Sequence, residues 1–214
     1  MSRVTALCAA LLAPLLCAGP AAAHDDHAAP SKGPAAQSVP APGGTQEARA
    51  YFTDLELRSQ DNQPVRFFTD AMEGKTVVIN FIYTNCKDAC PLITQKMLQV
   101  RDLLGDRFNK DVFYVTVTTD PLRDTPAELK KFAQKQSADM PGWLFLTGSK
   151  ENIDVILKKF GSYSKNIEEH LTLLLVGNVP VKRWTKLKPD APAQLLAERV
   201  ANVATNGPQF TPPR

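Results

Sequence analysis

Cys86 and Cys90 stand four positions apart in the segment Tyr83-Thr84-Asn85-Cys86-Lys87-Asp88-Ala89-Cys90-Pro91. On the first turn of a helix that spacing sets both side chains on one face. The free N–H groups and positive dipole end of such a terminus favour thiolates, and the neighbouring Lys87 adds a cation. Two adjacent thiolates suit a soft monovalent ion such as Cu(I), and they could equally close into a disulfide. As a structural staple that disulfide would be weak, because so short a loop removes little freedom from the unfolded chain.

The spacing disfavours several other chemistries. No histidine stands immediately after Cys90, where Pro91 lies, so covalent attachment of a c-type haem is excluded. A zinc site wants four ligands, and the two cysteines have too few histidines to join them. Thioredoxin-type oxidoreductases separate their cysteines by two residues rather than three. A thiol peroxidase resembling peroxiredoxins would carry Pro and Thr upstream, where this chain has Ile79 and Tyr83. Met97 shares a helical face with Cys90, but seven residues at 1.5 Å each put it about 10 Å away, so it reads as core. Asp120, at the end of a strand pattern, suits either a group supporting the site or a cap for the following turn. His170 taken alone reads as a surface or capping group. His24-Asp25-Asp26-His27 could capture metal weakly, and otherwise reads as a solvated tail.

The elements that must position these residues alternate in type. Phe52–Leu57 and Val65–Phe68 flank Asp61-Asn62-Gln63-Pro64 as a hairpin would. Thr76–Tyr83 is a continuous β-branched and aromatic run, as in a strand buried on both faces. Cys90–Phe108 has helical spacing, and Val112–Thr118 reads as a second buried strand. Thr125-Pro126 opens a helix with Thr at the cap and Pro at the first position. Trp143–Leu146 is a third strand, and Ser149 caps a helix that Gly161 stops. Leu171–Val176 and Val181–Trp184 read as a closing hairpin, followed by a helix over Ala193–Val203. This order predicts an α/β fold: a mixed central sheet flanked by helices, with an N-terminal β-hairpin. The cysteines fall where the first central strand passes into its helix, beyond the strand's carboxyl end, a standard position for a site.

The ends of the chain read differently. Arg3, the apolar stretch Val4–Cys17 and the Ala21-x-Ala23 pattern predict a cleavable signal over residues 1–23. That apolar stretch is too short to span a bilayer, so the mature form is expected to have no stable membrane span. Lipid anchoring at Cys17 is the weaker reading, since bulky Leu16 stands where lipoprotein signals resemble one another in having a small residue. Cleavage after Ala23 leaves only Cys86 and Cys90 of the four cysteines. Residues 24–49, rich in Ala and Pro, predict a disordered tether, residues 50–204 the folded domain, and residues 205–214 a flexible tail. The apolar share of 43% supports one core, and a formal net charge of +3 without a Lys/Arg block argues against nucleic acid as a partner.

Three motifs in order resemble those of the SCO/SenC family, thioredoxin-like copper chaperones for the CuA centre of cytochrome c oxidase. They are Thr84-Asn85-Cys86-Lys87-Asp88-Ala89-Cys90-Pro91, Thr119-Asp120-Pro121-Leu122-Arg123-Asp124-Thr125-Pro126 and Leu146-Thr147-Gly148-Ser149. The likeness runs from about Phe52 to Val203. Lys87 stands where the family usually has Pro, and Glu169-His170-Leu171 where it has Asp-His-Ser/Thr. The resemblance implies a thioredoxin-like fold, copper as Cu(I) or Cu(II), and His170 as third ligand beside Cys86 and Cys90. It implies a periplasmic carrier rather than an enzyme, with a cuproprotein client such as the CuA subunit of an oxidase. The alternative is a thiol-disulfide reductase, in which Cys86 and Cys90 are the catalytic redox pair and an exchange partner replaces the client. No proline lies between Tyr163 and Val176, where thioredoxins carry a cis-Pro facing the thiols, and His170 takes that place.

Overall fold

The computed structural model describes residues 44–170 and 172–205. The signal segment, Cys17, the His24–His27 cluster and the tail from residue 206 lie outside the described residues.

In chain order the elements are α1 (Gly44–Phe52), β1 (Glu56–Ser59), β2 (Pro64–Arg66), α2 (Phe67–Ala71) and β3 (Thr76–Ile82). Next come α3 (Ala89–Leu104), β4 (Val112–Thr118), α4 (Pro126–Lys135), β5 (Trp143–Thr147) and α5 (Lys150–Phe160). The chain closes with β6 (Leu174–Asn178), β7 (Arg183–Leu187) and α6 (Ala193–Ala204). The strands form one sheet in the order β2-β1-β5-β4-β3-β6-β7. β3, β4 and β5 run parallel, while β1 and β6 pair antiparallel to their neighbours, so the sheet is mixed as the alternation of elements predicts.

Period-two alternation along the central strands divides the core. Val78 and Ile82 of β3 face α3, α4 and α6, together with Tyr114, Trp143, Phe145 and Val176. Val77, Ile79 and Phe81 face α2 and α5 on the other side. All seven residues of β3 are buried, which is why the run shows no polar face in sequence. Thr125 accepts from the Glu128 N–H at 3.3 Å and Ser149 from the Asn152 N–H at 3.2 Å, so both sequence-predicted caps form. Gly161 stops α5 at φ +70°, a conformation that costs glycine little.

Several boundaries differ from expectation, among them the first strand, expected over Phe52–Leu57 and found at Glu56–Ser59. Residues 44–49, assigned to the tether, belong to α1, whose Phe52 stacks on Phe160 at 5.3 Å between centroids and packs against Trp184. Phe67 and Phe68 leave the strand and start α2, because Asp54 captures the Thr69 N–H at 2.8 Å and Asp70 the Arg66 N–H at 2.7 Å. Gly105, at φ +54°, ends α3 at Leu104, four residues before the expected Phe108. The closing hairpin is displaced towards the C-terminus, with Lys182 at φ +54° turning the chain into β7. Among the described residues no helix is long and apolar enough to cross a membrane.

Candidate metal centre

β3 delivers the cysteine segment, and a buried carboxylate fixes its geometry. After Ile82 the chain turns through Thr84-Asn85, with the Cys86 N–H donating to the Tyr83 carbonyl at 3.1 Å. Asp124 accepts the Thr84 N–H at 3.1 Å and also the hydroxyls of Thr84 and Thr118. These three bonds tie the cysteine turn to the end of β4. Asp124 is only 1% exposed, and burial pushes its carboxyl above the usual range although the threonine bonds oppose this.

Cys86 and Cys90 are free thiols brought together at the head of α3. Only Cys90 is helical, since Cys86 precedes the first helical residue, Ala89. The shared helical face expected from spacing is therefore replaced by a capping arrangement. The Cys86 sulfur accepts the Cys90 N–H at 3.2 Å, a bond that the N-cap residue Asp88 does not supply. Cys90 is fully buried, and burial followed by its hydrogen bond with the Cys86 thiol pushes it well above the ordinary thiol range. Lys87 is exposed.

Tyr83 links the sulfurs to the histidine. Burial, and then the charge and hydrogen bond of Cys86, push its hydroxyl up to about 12. Its ring meets His170 edge-to-face at 5.7 Å between centroids. β6 runs antiparallel to β3, with Ile79 opposite Leu175, so the segment before β6 passes the end of β3 where the cysteine turn begins. His170 lies there, 7% exposed, just after a 3₁₀ turn at Ile167–Glu169. Both ring nitrogens stand against backbone carbonyls: Nδ1 against Ile167 and Nε2 against Phe81 at 3.1 Å. Among the described residues no three His, Cys, Asp or Glu side chains stand close enough to hold one metal ion. The fold thus joins Cys86 to Cys90, and His170 reaches the same neighbourhood with its nitrogens turned to the backbone.

Met97 is 1% exposed and packs in the α3 core, as its distance along the helix implies. Asp120 takes the capping role: its carbonyl accepts the Arg123 and Asp124 N–H groups and its carboxylate holds Arg123 at 2.8 Å. Cys86 opens into a cleft of about 430 Å³ between α3 and α4, whose walls include Arg123, Glu128, Lys131 and Lys135.

The family model for SCO1/SenC matches residues 43–178, which carry Cys86, Cys90, His170 and Asp124. The chain belongs to the SCO1/SenC family. A SCO1/SenC family lipoprotein from Bacillus anthracis has the same fold, with a TM-score of 0.62 and 27% identity over 72% of this chain and 95% of that one. BsSco, a member of the Sco family of cytochrome c oxidase assembly proteins with an identified disulfide switch, matches with a TM-score of 0.60 and 26% identity. That match covers 73% of this chain and 94% of BsSco. A protein of Stutzerimonas stutzeri named for copper binding is 33% identical over 107 residues, half of each chain. The chain spans about half the length of the curated relatives it matches. The fold is thus the thioredoxin-like one of the Sco structures, as the order of elements implied.

Two residues that shape this SCO1/SenC site escaped the reading of the sequence. Asp124 lies in the Asp-Pro-Leu-Arg-Asp-Thr-Pro motif, in which Asp120 is the carboxylate at the strand end. The threonines at 84 and 118 are what a buried carboxylate at 124 needs, and they were the available signal. Tyr83 was legible only as the aromatic end of a strand.

Proposed function

We propose that this protein is an exported copper carrier whose cargo, as Cu(I), is held by the sulfurs of Cys86 and Cys90. His170 completes the site, above all for Cu(II). The observation that carries this reading is the pair of free, adjacent sulfurs at the head of α3, one of which opens into a cleft. Soft sulfur donors favour Cu(I), which is content with few ligands, whereas Cu(II) seeks nitrogen donors and more of them. His170 joins when its ring leaves the Phe81 carbonyl. A hydrogen bond of that kind contributes a net of about 1 kcal/mol, a small barrier against a metal–imidazole bond. Copper held by Cys86, which opens into the cleft, passes to a client by exchange of ligands. The copper-binding name of the Stutzerimonas relative and the oxidase-assembly role in the name of BsSco's family support this. The client is accordingly a periplasm-facing cuproprotein, the CuA subunit of a terminal oxidase, reached by a domain exported behind the signal at residues 1–23.

The test is competition between the reduced protein and a Cu(I)-specific chelator. Wild type is expected to hold one Cu(I), and Cys86→Ser or Cys90→Ser to lose it, since serine removes the soft donor with little change in volume. A Cys86→Ser protein that competes like wild type would contradict the assignment and leave the thiols to disulfide exchange.

A further inference from the structure

The first turn of α3 is a ridge between two grooves. On the α4 side lies the cleft into which Cys86 opens, where Arg123, Lys131 and Lys135 face one carboxylate, Glu128. Lys131 pairs with Glu128 at 2.7 Å and Arg123 with Asp120 at 2.8 Å. Among the described residues no ion pair engages Lys135, nor Lys87 on the ridge beside Asp88, so the cleft keeps a positive surplus. On the α6 side lies a groove of about 480 Å³ whose walls include Ala89, Leu92, Ile93 and Pro189.

The two most exposed large apolar side chains among the described residues are Leu92 and Leu122. Leu92, 71% exposed, borders the apolar groove, and Leu122, 76% exposed, adjoins Arg123 at the basic one. A single exposed leucine is ordinary, but Leu92 borders an apolar groove on the same first turn of α3 whose other side faces the cleft of Cys86. Apolar anchors inside a charged rim are the anatomy of a contact between proteins.

We propose that these grooves dock an extended acidic segment of a partner polypeptide. The segment sets carboxylates among Arg123, Lys131 and Lys135, lays an apolar side chain against Leu92, and so brings a sulfur over Cys86. The arrival of that sulfur rests on the copper-carrier reading; the recognition of charge does not. The apolar groove favours a polypeptide over a phosphate polymer, which would need a continuous basic track.

The experiment uses the metal-free, reduced full chain and two labelled synthetic peptides of equal length. Each carries one leucine and a serine in place of the receiving cysteine; one is rich in glutamate and the other in lysine. Fluorescence anisotropy is expected to show binding of the glutamate peptide alone, weakening as salt rises from about 0.05 M to about 0.3 M. The double variant Lys131→Glu/Lys135→Glu is expected to lose about tenfold or more in affinity, because two attractive charges become repulsive. Leu92→Ser is expected to weaken binding without altering its salt dependence. Chelator competition is run in parallel, and the charge-reversed protein is expected to keep its Cu(I). Equal binding of both peptides, or unchanged affinity in the reversed variant, would overturn the proposal. So would capture by phosphatidylglycerol vesicles without selectivity between the peptides. Peptide selectivity in a protein that binds no Cu(I) supports the docking surface and sinks the copper reading instead.

Discussion

Cys86 and Cys90 are near neighbours with different surroundings, and their reactivity should follow. Cys86 is 9% exposed and opens to the cleft, whereas Cys90 is fully buried with its thiol pushed upward by that burial. Attack on an electrophile needs both thiolate character and access. Limiting iodoacetamide applied to the metal-free, reduced chain is therefore expected to label Cys86 first. Peptide mapping of the singly modified protein checks this, and a product alkylated mainly at Cys90 would contradict the geometry. The residue scale also explains what the sequence leaves hidden. The capping bond from Cys90 N–H to the Cys86 sulfur depends on a turn before α3, which spacing alone reads as one more helical turn. The orientation of His170 depends on two backbone carbonyls, and backbone positions have no side-chain signature in a sequence.

At the scale of elements, most of the fold is legible because few patterns compete. The all-apolar run of β3, the Thr125-Pro126 start of α4 and the Ser149 and Gly161 limits of α5 each have one local cause. Expectation fails where a distant side chain overrides local preference: Asp54 draws Phe67 and Phe68 into α2. The β6–β7 hairpin shows another such contact. A methyl group added at Gly177 would meet the Trp184 ring at 2.4 Å, so the indole packs directly on that glycine. Trp184 in turn contacts Phe52 of α1 and cannot move freely. Gly177→Ala is expected to cost about 1–3 kcal/mol through overpacking. Denaturant unfolding measures this, and stability equal to wild type would show that the indole yields.

For the molecule as a whole, Asp124 makes stability depend on pH. Its folded carboxyl is raised above the usual range, chiefly by burial, so the folded chain binds the proton more readily than the unfolded chain does. The resulting stabilisation is fully present below the ordinary carboxylate range and is lost as pH rises through the raised folded value. Asp124→Asn keeps acceptors for the Thr84 N–H and the Thr118 hydroxyl while removing the titration. Denaturant unfolding of the metal-free protein from acid to neutral pH is expected to show this dependence in wild type and a flatter profile in Asp124→Asn. Identical profiles would assign the dependence to other groups. The same carboxylate anchors the cysteine turn to β4, so protonation and the placement of the sulfurs share one support.

The account rests on copper meeting sulfur from this pair. X-ray absorption at the copper edge, on reduced full-length protein loaded with one Cu(I), reads the first shell directly. The account predicts two sulfur scatterers in wild type, one in Cys90→Ser where any copper is retained, and an added imidazole signal after oxidation to Cu(II) that His170→Ala removes. A wild-type first shell of nitrogen and oxygen alone would contradict it.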